Sequence, residues 1–112
     1  MDKGMHDGHR NRLKRRFLEE GMEQFEPHNV LELLLFYSIP RQDTNETAHR
    51  LIDTFGSLSA VFDASVEDLV KVEGVGMNTA ILIKLVPAVN RRYLEDRALR
   101  GMRAVSSEAC GD

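Results

Sequence analysis

The sequence has no tryptophan, one cysteine and three prolines, and aromatic residues make up only 6% of it. A single thiol, Cys110, cannot close an intramolecular disulfide or build a cysteine zinc site, which favours a reducing, cytoplasmic setting. So few aromatics leave few platforms for stacking unpaired bases, and this disfavours a pure base-stacking protein. Long hydrophobic runs are missing too. The most apolar stretch, Val30 to Ile39, carries Glu32 in its middle and is about half as long as a membrane span. The N-terminus is charged rather than signal-like, so a soluble chain with no membrane partner is expected. An overall basic excess is also absent. With a net charge of −3 the mean field does not steer the chain to nucleic acid, so any such binding must come from local basic surface.

What is present is an ordinary globular composition, 42% hydrophobic and 29% charged over 112 residues. That length fits one domain, which would bury roughly two-thirds of its extended surface. Charge is unevenly spread. Residues 1–21 hold six Lys/Arg against four Asp/Glu, residues 22–75 hold three against ten, and residues 76–112 hold six against four. Basic surface is therefore confined to the two ends.

Hydrophobic periodicity predicts helices throughout. From Gly8, the residues His9, Leu13 and Phe17 recur every four positions among Arg10, Arg12, Lys14, Arg15 and Arg16, an amphipathic helix with a basic outer face that ends near Gly21. Val30 to Tyr37 is apolar nearly all round, as a helix at the centre of a small bundle would be, and Pro40 closes it. Asp43 to Glu46 has the spacing of a capping box, opening a third helix with Ala48, Leu51, Ile52 and Phe55 on one face and Gly56 at its end. Ser57 can cap a short fourth helix through Asp63, and Ser65 to Asp68 a short fifth. A last helical pattern runs from Ala80 through Ile81, Leu82, Leu85, Val86 and Val89, with Pro87 expected to kink it or to end it near Val86. No window alternates with period two. The fold class is all-α, with a basic N-terminal helix at 1–21, a helical core at 22–100 containing turns near 54–57 and 74–77, and a flexible tail at 101–112.

The segment Leu69 to Ile83 reads as a helix, a tight turn and a second helix. Gly74 and Gly76 permit positive φ and close backbone approach, Val75 plugs the turn into the core, and Ala80 is small enough for close helix packing. Such a turn leaves the first amides of the second helix, from Gly76 to Asn78, pointing outward, where they attract a phosphate. This pattern resembles the helix-hairpin-helix module, which reads the DNA backbone without regard to sequence. At an offset of twenty, Ile52, Phe55, Gly56 and Ala60 fall opposite Val72, Val75, Gly76 and Ala80, a degenerate second copy with Thr54 in place of Gly74. Two copies imply a double helix-hairpin-helix bundle of the RuvA domain 2-like, SAM-like type.

The stretches Gly8 to Leu13, Leu31 to Thr44 (Leu-Glu-Leu-Leu-Leu-Phe-Tyr-Ser-Ile-Pro-Arg-Gln-Asp-Thr) and Phe55 to Leu58, followed by Gly74-Val75-Gly76, resemble in order the N-terminal domain of the bacterial RadC-like family. The resemblance covers residues from about 6 to 97. It implies a label of DNA repair or recombination, and a C-terminal JAB/MPN metalloprotease-like domain whose His-x-His and downstream Asp bind zinc. That motif does not occur here, so the resemblance implies that the chain stops at the interdomain junction and that its own C-terminal domain is a partner.

Candidate nucleic-acid contacts are Arg10, Arg12, Arg15 and Arg16 on the first helix, Gly74, Gly76, Asn78 and Thr79 at the hairpin, and Lys84 beyond it. Against this, Met77-Asn78-Thr79 lacks the Lys or Arg often found just after the second glycine of DNA-binding hairpins. His6 and His9 lie three apart but have no third ligand, and no Ser, His and acid set is spaced for nucleophilic catalysis. No metal, no cofactor and no enzymatic activity are expected. The rival to a DNA-backbone module is a protein-interaction or regulatory module serving the missing domain without nucleic-acid contact.

Overall fold

A computed structural model describes residues 2–40 and 42–111, with side chains from 8 to 40 and 42 to 103. The side chains of His6 and Cys110 thus lie outside the described residues, as does Asp112. The described residues form six α-helices and no strand: α1 Asp2–Glu20, α2 Pro27–Leu35, α3 Thr44–Phe55, α4 Leu58–Asp63, α5 Val66–Leu69 and α6 Met77–Gly111.

The punctuation follows local chemistry. Gly21 (φ 77°) terminates α1, its amide donating to the Phe17 carbonyl at 2.9 Å. Pro27 occupies the first turn of α2, where its missing N–H costs nothing. The Asp43 side chain accepts from the Asn45 amide to open α3, and Gly56 (φ 99°) closes it. Ser57 Oγ accepts from the Ala60 amide to open α4, and Ser65 Oγ from the Asp68 amide to open α5.

Helix α2 sits centrally because both of its faces are apolar. Leu31 and Leu35 enter the main core with Ala48 and Leu51 of α3, Val61 of α4, Leu69 of α5, Val72, Val75, and Ala80 and Ile83 of α6. Leu33 and Phe36 point the other way and pack with Leu13 of α1 in a second, smaller cluster. Between the two faces, Glu32 is buried, meeting His9 Nε2 at 2.8 Å and Asn45 Nδ2 at 3.3 Å.

One sequence expectation needs correction, and two are made more specific. The spacing of His9, Leu13 and Phe17 predicts the buried face of α1, yet Phe17 is exposed and Arg10 lies with Leu13 against α2. The carbonyls at the end of α2 need donors, and the Arg10 guanidinium supplies them. Pro87 does not end the last helix, which continues as α6 to Gly111. Proline fits helical φ and forfeits one hydrogen bond, a loss the surrounding turns absorb. The helix also runs on through 101–111, assigned above to a tail. Good helix formers such as Ala98, Leu99, Arg100 and Met102, with an Arg100 to Asp96 pair at 3.8 Å, favour helix here. From Ala88 to Arg103 every side chain of α6 is exposed, so this part leaves the bundle. The radius of gyration is accordingly 17.9 Å, against about 13 Å for a compact chain of this length.

Candidate nucleic-acid interface

The turn between α5 and α6 rests on Gly74, whose φ of 93° only glycine adopts without strain. Its backbone also lies hard against α3. A Cβ on Gly74 would stand 2.6 Å from Thr47 Oγ1. Gly76 is different: its φ is not positive, and a Cβ there would meet nothing within 4 Å. The expectation that both glycines supply positive φ is therefore corrected to Gly74 alone. Gly76 instead occupies the capping position of α6, its carbonyl accepting from the Ala80 amide at 3.0 Å.

The difference between the two hairpin turns lies at this position. At the start of α4 the cap is Ser57, and its hydroxyl occupies an amide. At the start of α6 the cap has no side chain. Among the described residues no acceptor meets the amides of Gly76, Met77, Asn78 or Thr79, which leaves the positive end of α6 open. The offset of twenty is not reproduced in geometry. Gly56 is left-handed while Gly76 is not, and the left-handed pair is Gly56 and Gly74, eighteen residues apart. Ser57 and Gly76, the residues that cap the following helices, are nineteen apart. The second turn holds one more residue, Val75, between its left-handed glycine and its cap, so a single offset cannot align both features.

A groove of about 510 Å³ opens beside these amides, with Gly74, Gly76, Met77, Asn78 and Thr79 on one side and Ser38, Ile39, Pro40 and Gln42 on the other. Among the described lining residues there is no carboxylate. Thr79 Oγ1 donates to Ser38 Oγ at 3.0 Å and ties the two sides together.

The candidate residues divide by this geometry. Gly74, Gly76, Asn78 and Thr79 meet at the groove, although Thr79 is buried and its hydroxyl is committed to Ser38. Arg10 is not a surface cation. It is 9% exposed, its Nη2 donates to the Ile39 carbonyl at 2.6 Å and the Gln42 carbonyl at 2.8 Å, its Nη1 donates to the Phe36 carbonyl at 3.3 Å, and its guanidinium stacks on the Phe36 ring. Lys84 is also committed, Nζ donating to the Phe62 carbonyl at 2.7 Å, which ties α6 to the end of α4. Arg12, Arg15 and Arg16 are exposed on α1 but do not line the groove, and Arg16 stacks on Phe25. Sequence reasoning did not assign the opposite wall, Ser38, Ile39, Pro40 and Gln42, to the site. These residues entered the sequence reading through the family resemblance, and Pro40 as a helix terminator, but neither placed them beside the hairpin. Sequence reasoning also missed that His28 stacks on His49 at 4.0 Å, with His49 inside α3. No group of three or more His, Cys, Asp or Glu that could hold a metal occurs among the described residues, and no helix among them is long and apolar enough to cross a membrane.

The helix-hairpin-helix motif matches residues 57–86, which span α4, α5, the Gly74 turn and the first part of α6. The chain is 42% identical over 79 residues to a UPF0758 protein of Fusobacterium nucleatum, covering 70% of this chain and 34% of the relative. It is 40% identical over 92 residues to a UPF0758 protein of Ruegeria pomeroyi, covering 82% of this chain and 41% of the relative. A Rhodobacter capsulatus UPF0758 protein is 40% identical over 88 residues, covering 79% and 41%. Over most of its own length the chain is thus similar to the RadC-like UPF0758 proteins. It spans between a third and about two-fifths of the length of these relatives. No solved structure matches it.

Proposed function

We propose that this RadC-like chain is a DNA-backbone module that binds without base readout. The observation that carries the proposal is the start of α6, where, among the described residues, four amides at a helix N-terminus have no acceptor and the groove beside them is lined by no carboxylate. The exposed cations Arg12, Arg15 and Arg16 on α1 would add backbone contacts elsewhere on the surface. A setting in DNA repair or recombination, in the cytoplasm, is part of the same proposal and rests on the hairpin motif and the family. The chain acts by binding and carries no catalytic step. If phosphate contacts dominate, log affinity for duplex DNA falls with log salt at about −0.9 per phosphate, and about two to four contacts are expected. Duplexes of unrelated sequence should bind alike. No association at about 50 mM salt and about 100 μM protein, above the usual non-specific range, would overturn the proposal.

A second reading has an observation of its own. Ile81, Leu85, Val89, Tyr93, Leu94, Leu99 and Met102 leave a large apolar area of α6 in solvent, which suits a protein-interaction or regulatory role, including one toward a further domain of the protein. Binding through that surface would be nearly independent of salt.

A further inference from the structure

We propose that Arg10 is a positioning residue for the hairpin groove. Its guanidinium spans three carbonyls, those of Phe36, Ile39 and Gln42, and so pins the end of α2 and the chain beyond it to α1. Ile39 and Gln42 are wall residues of the groove, and a third wall residue, Ser38, accepts from Thr79 in the first turn of α6. A continuous path therefore runs from Arg10 through the wall to the uncapped amides. The backbone bonds at the end of α2 use the Glu32, Leu34 and Leu35 carbonyls, which leaves those of Phe36 and Ile39 to Arg10. A planar fork with five donors serves three separate acceptors and stacks on a ring, and the compact ammonium of lysine cannot do both.

Lysine therefore separates position from charge. In Arg10→Lys the net charge is unchanged, so a residue that merely attracted phosphate would keep its effect. A positioning residue would lose it. If the wall is in place only about a tenth of the time in the variant, apparent affinity falls about tenfold.

The proposal rests on the nucleic-acid reading only for its affinity arm. The experiment compares the parent chain, Arg10→Lys and Arg92→Lys by amide hydrogen exchange and by titration with a mixed-sequence 20-base-pair duplex. The expected result for Arg10→Lys is exchange about tenfold faster at Ser38 and Ile39, shifted amide signals at Asn78 and Thr79, unchanged exchange at Leu51 in the core, and about tenfold weaker binding with an unaltered salt slope. Arg92→Lys, at an exposed position of α6 away from the groove and from α1, should match the parent throughout. Parent-like exchange at Ser38 and Ile39, or faster exchange spread evenly over the core, overturns the proposal. So does local loosening with parent-like affinity. If the parent chain itself binds no duplex, the proposed function falls, and Arg10 is then judged on exchange and on the Asn78 and Thr79 signals alone.

Discussion

Replacing three glycines by alanine, one at a time, separates backbone strain from steric conflict at the two turns. At Gly56, with φ 99° and open space around a Cβ, alanine brings strain alone, about 1–2 kcal/mol. At Gly74 the strain is similar, but the new methyl also lands 2.6 Å from Thr47 Oγ1 and 3.3 Å from Thr47 Cγ2. Rotating Thr47 exchanges one conflict for another, since both branches flank the site and the residue is buried in α3. Overpacking of this kind adds about 1–3 kcal/mol, so Gly74→Ala should cost about 2–5 kcal/mol in total. At Gly76 neither cost applies. A slightly poorer cap is offset by lower entropy of the unfolded chain, leaving Gly76→Ala within about 1 kcal/mol of the parent. Urea unfolding followed by circular dichroism measures all three. Adding Thr47→Ala to Gly74→Ala should recover the steric part and leave the strain, a coupling visible in a double-mutant cycle. Equal midpoints for Gly74→Ala and Gly76→Ala, or a Gly56→Ala loss as large as that of Gly74→Ala with no coupling to Thr47, would refute the reasoning.

Ile83 is fully buried while Ile81, two residues earlier on α6, is about half exposed, so in thermal melts Ile83→Ala should cost about 2–5 kcal/mol and Ile81→Ala less than about 1. His9→Ala leaves the buried Glu32 carboxylate with Asn45 alone and should cost about 1–3 kcal/mol by urea titration. Ser57→Ala removes the hydroxyl that accepts from Ala60 and should cost about 0.5–2 kcal/mol on the same scale. Reversing Arg12 and Arg15 to Glu should weaken DNA binding and flatten its salt dependence without moving the urea midpoint, because both side chains are exposed.

Local chemistry in the sequence determined the helices and most of their ends. Asp43, Ser57 and Ser65 cap where their spacing places them, Gly21 and Gly56 close helices as left-handed residues, and the all-round apolar stretch of α2 lies at the centre. These signals act within a few residues, so neighbours in sequence carry them. What the tertiary structure alone decided is which polar groups stay free. Arg10 and Lys84 look like surface cations in sequence, yet both meet carbonyls more than twenty residues away. Whether a long cation faces water or a distant carbonyl depends on how the helices cross, which no local pattern records. The same holds for Gly74 and Gly76, alike as letters. Thr47, brought in from α3, crowds one, while the other caps a helix in open space and leaves its amides available.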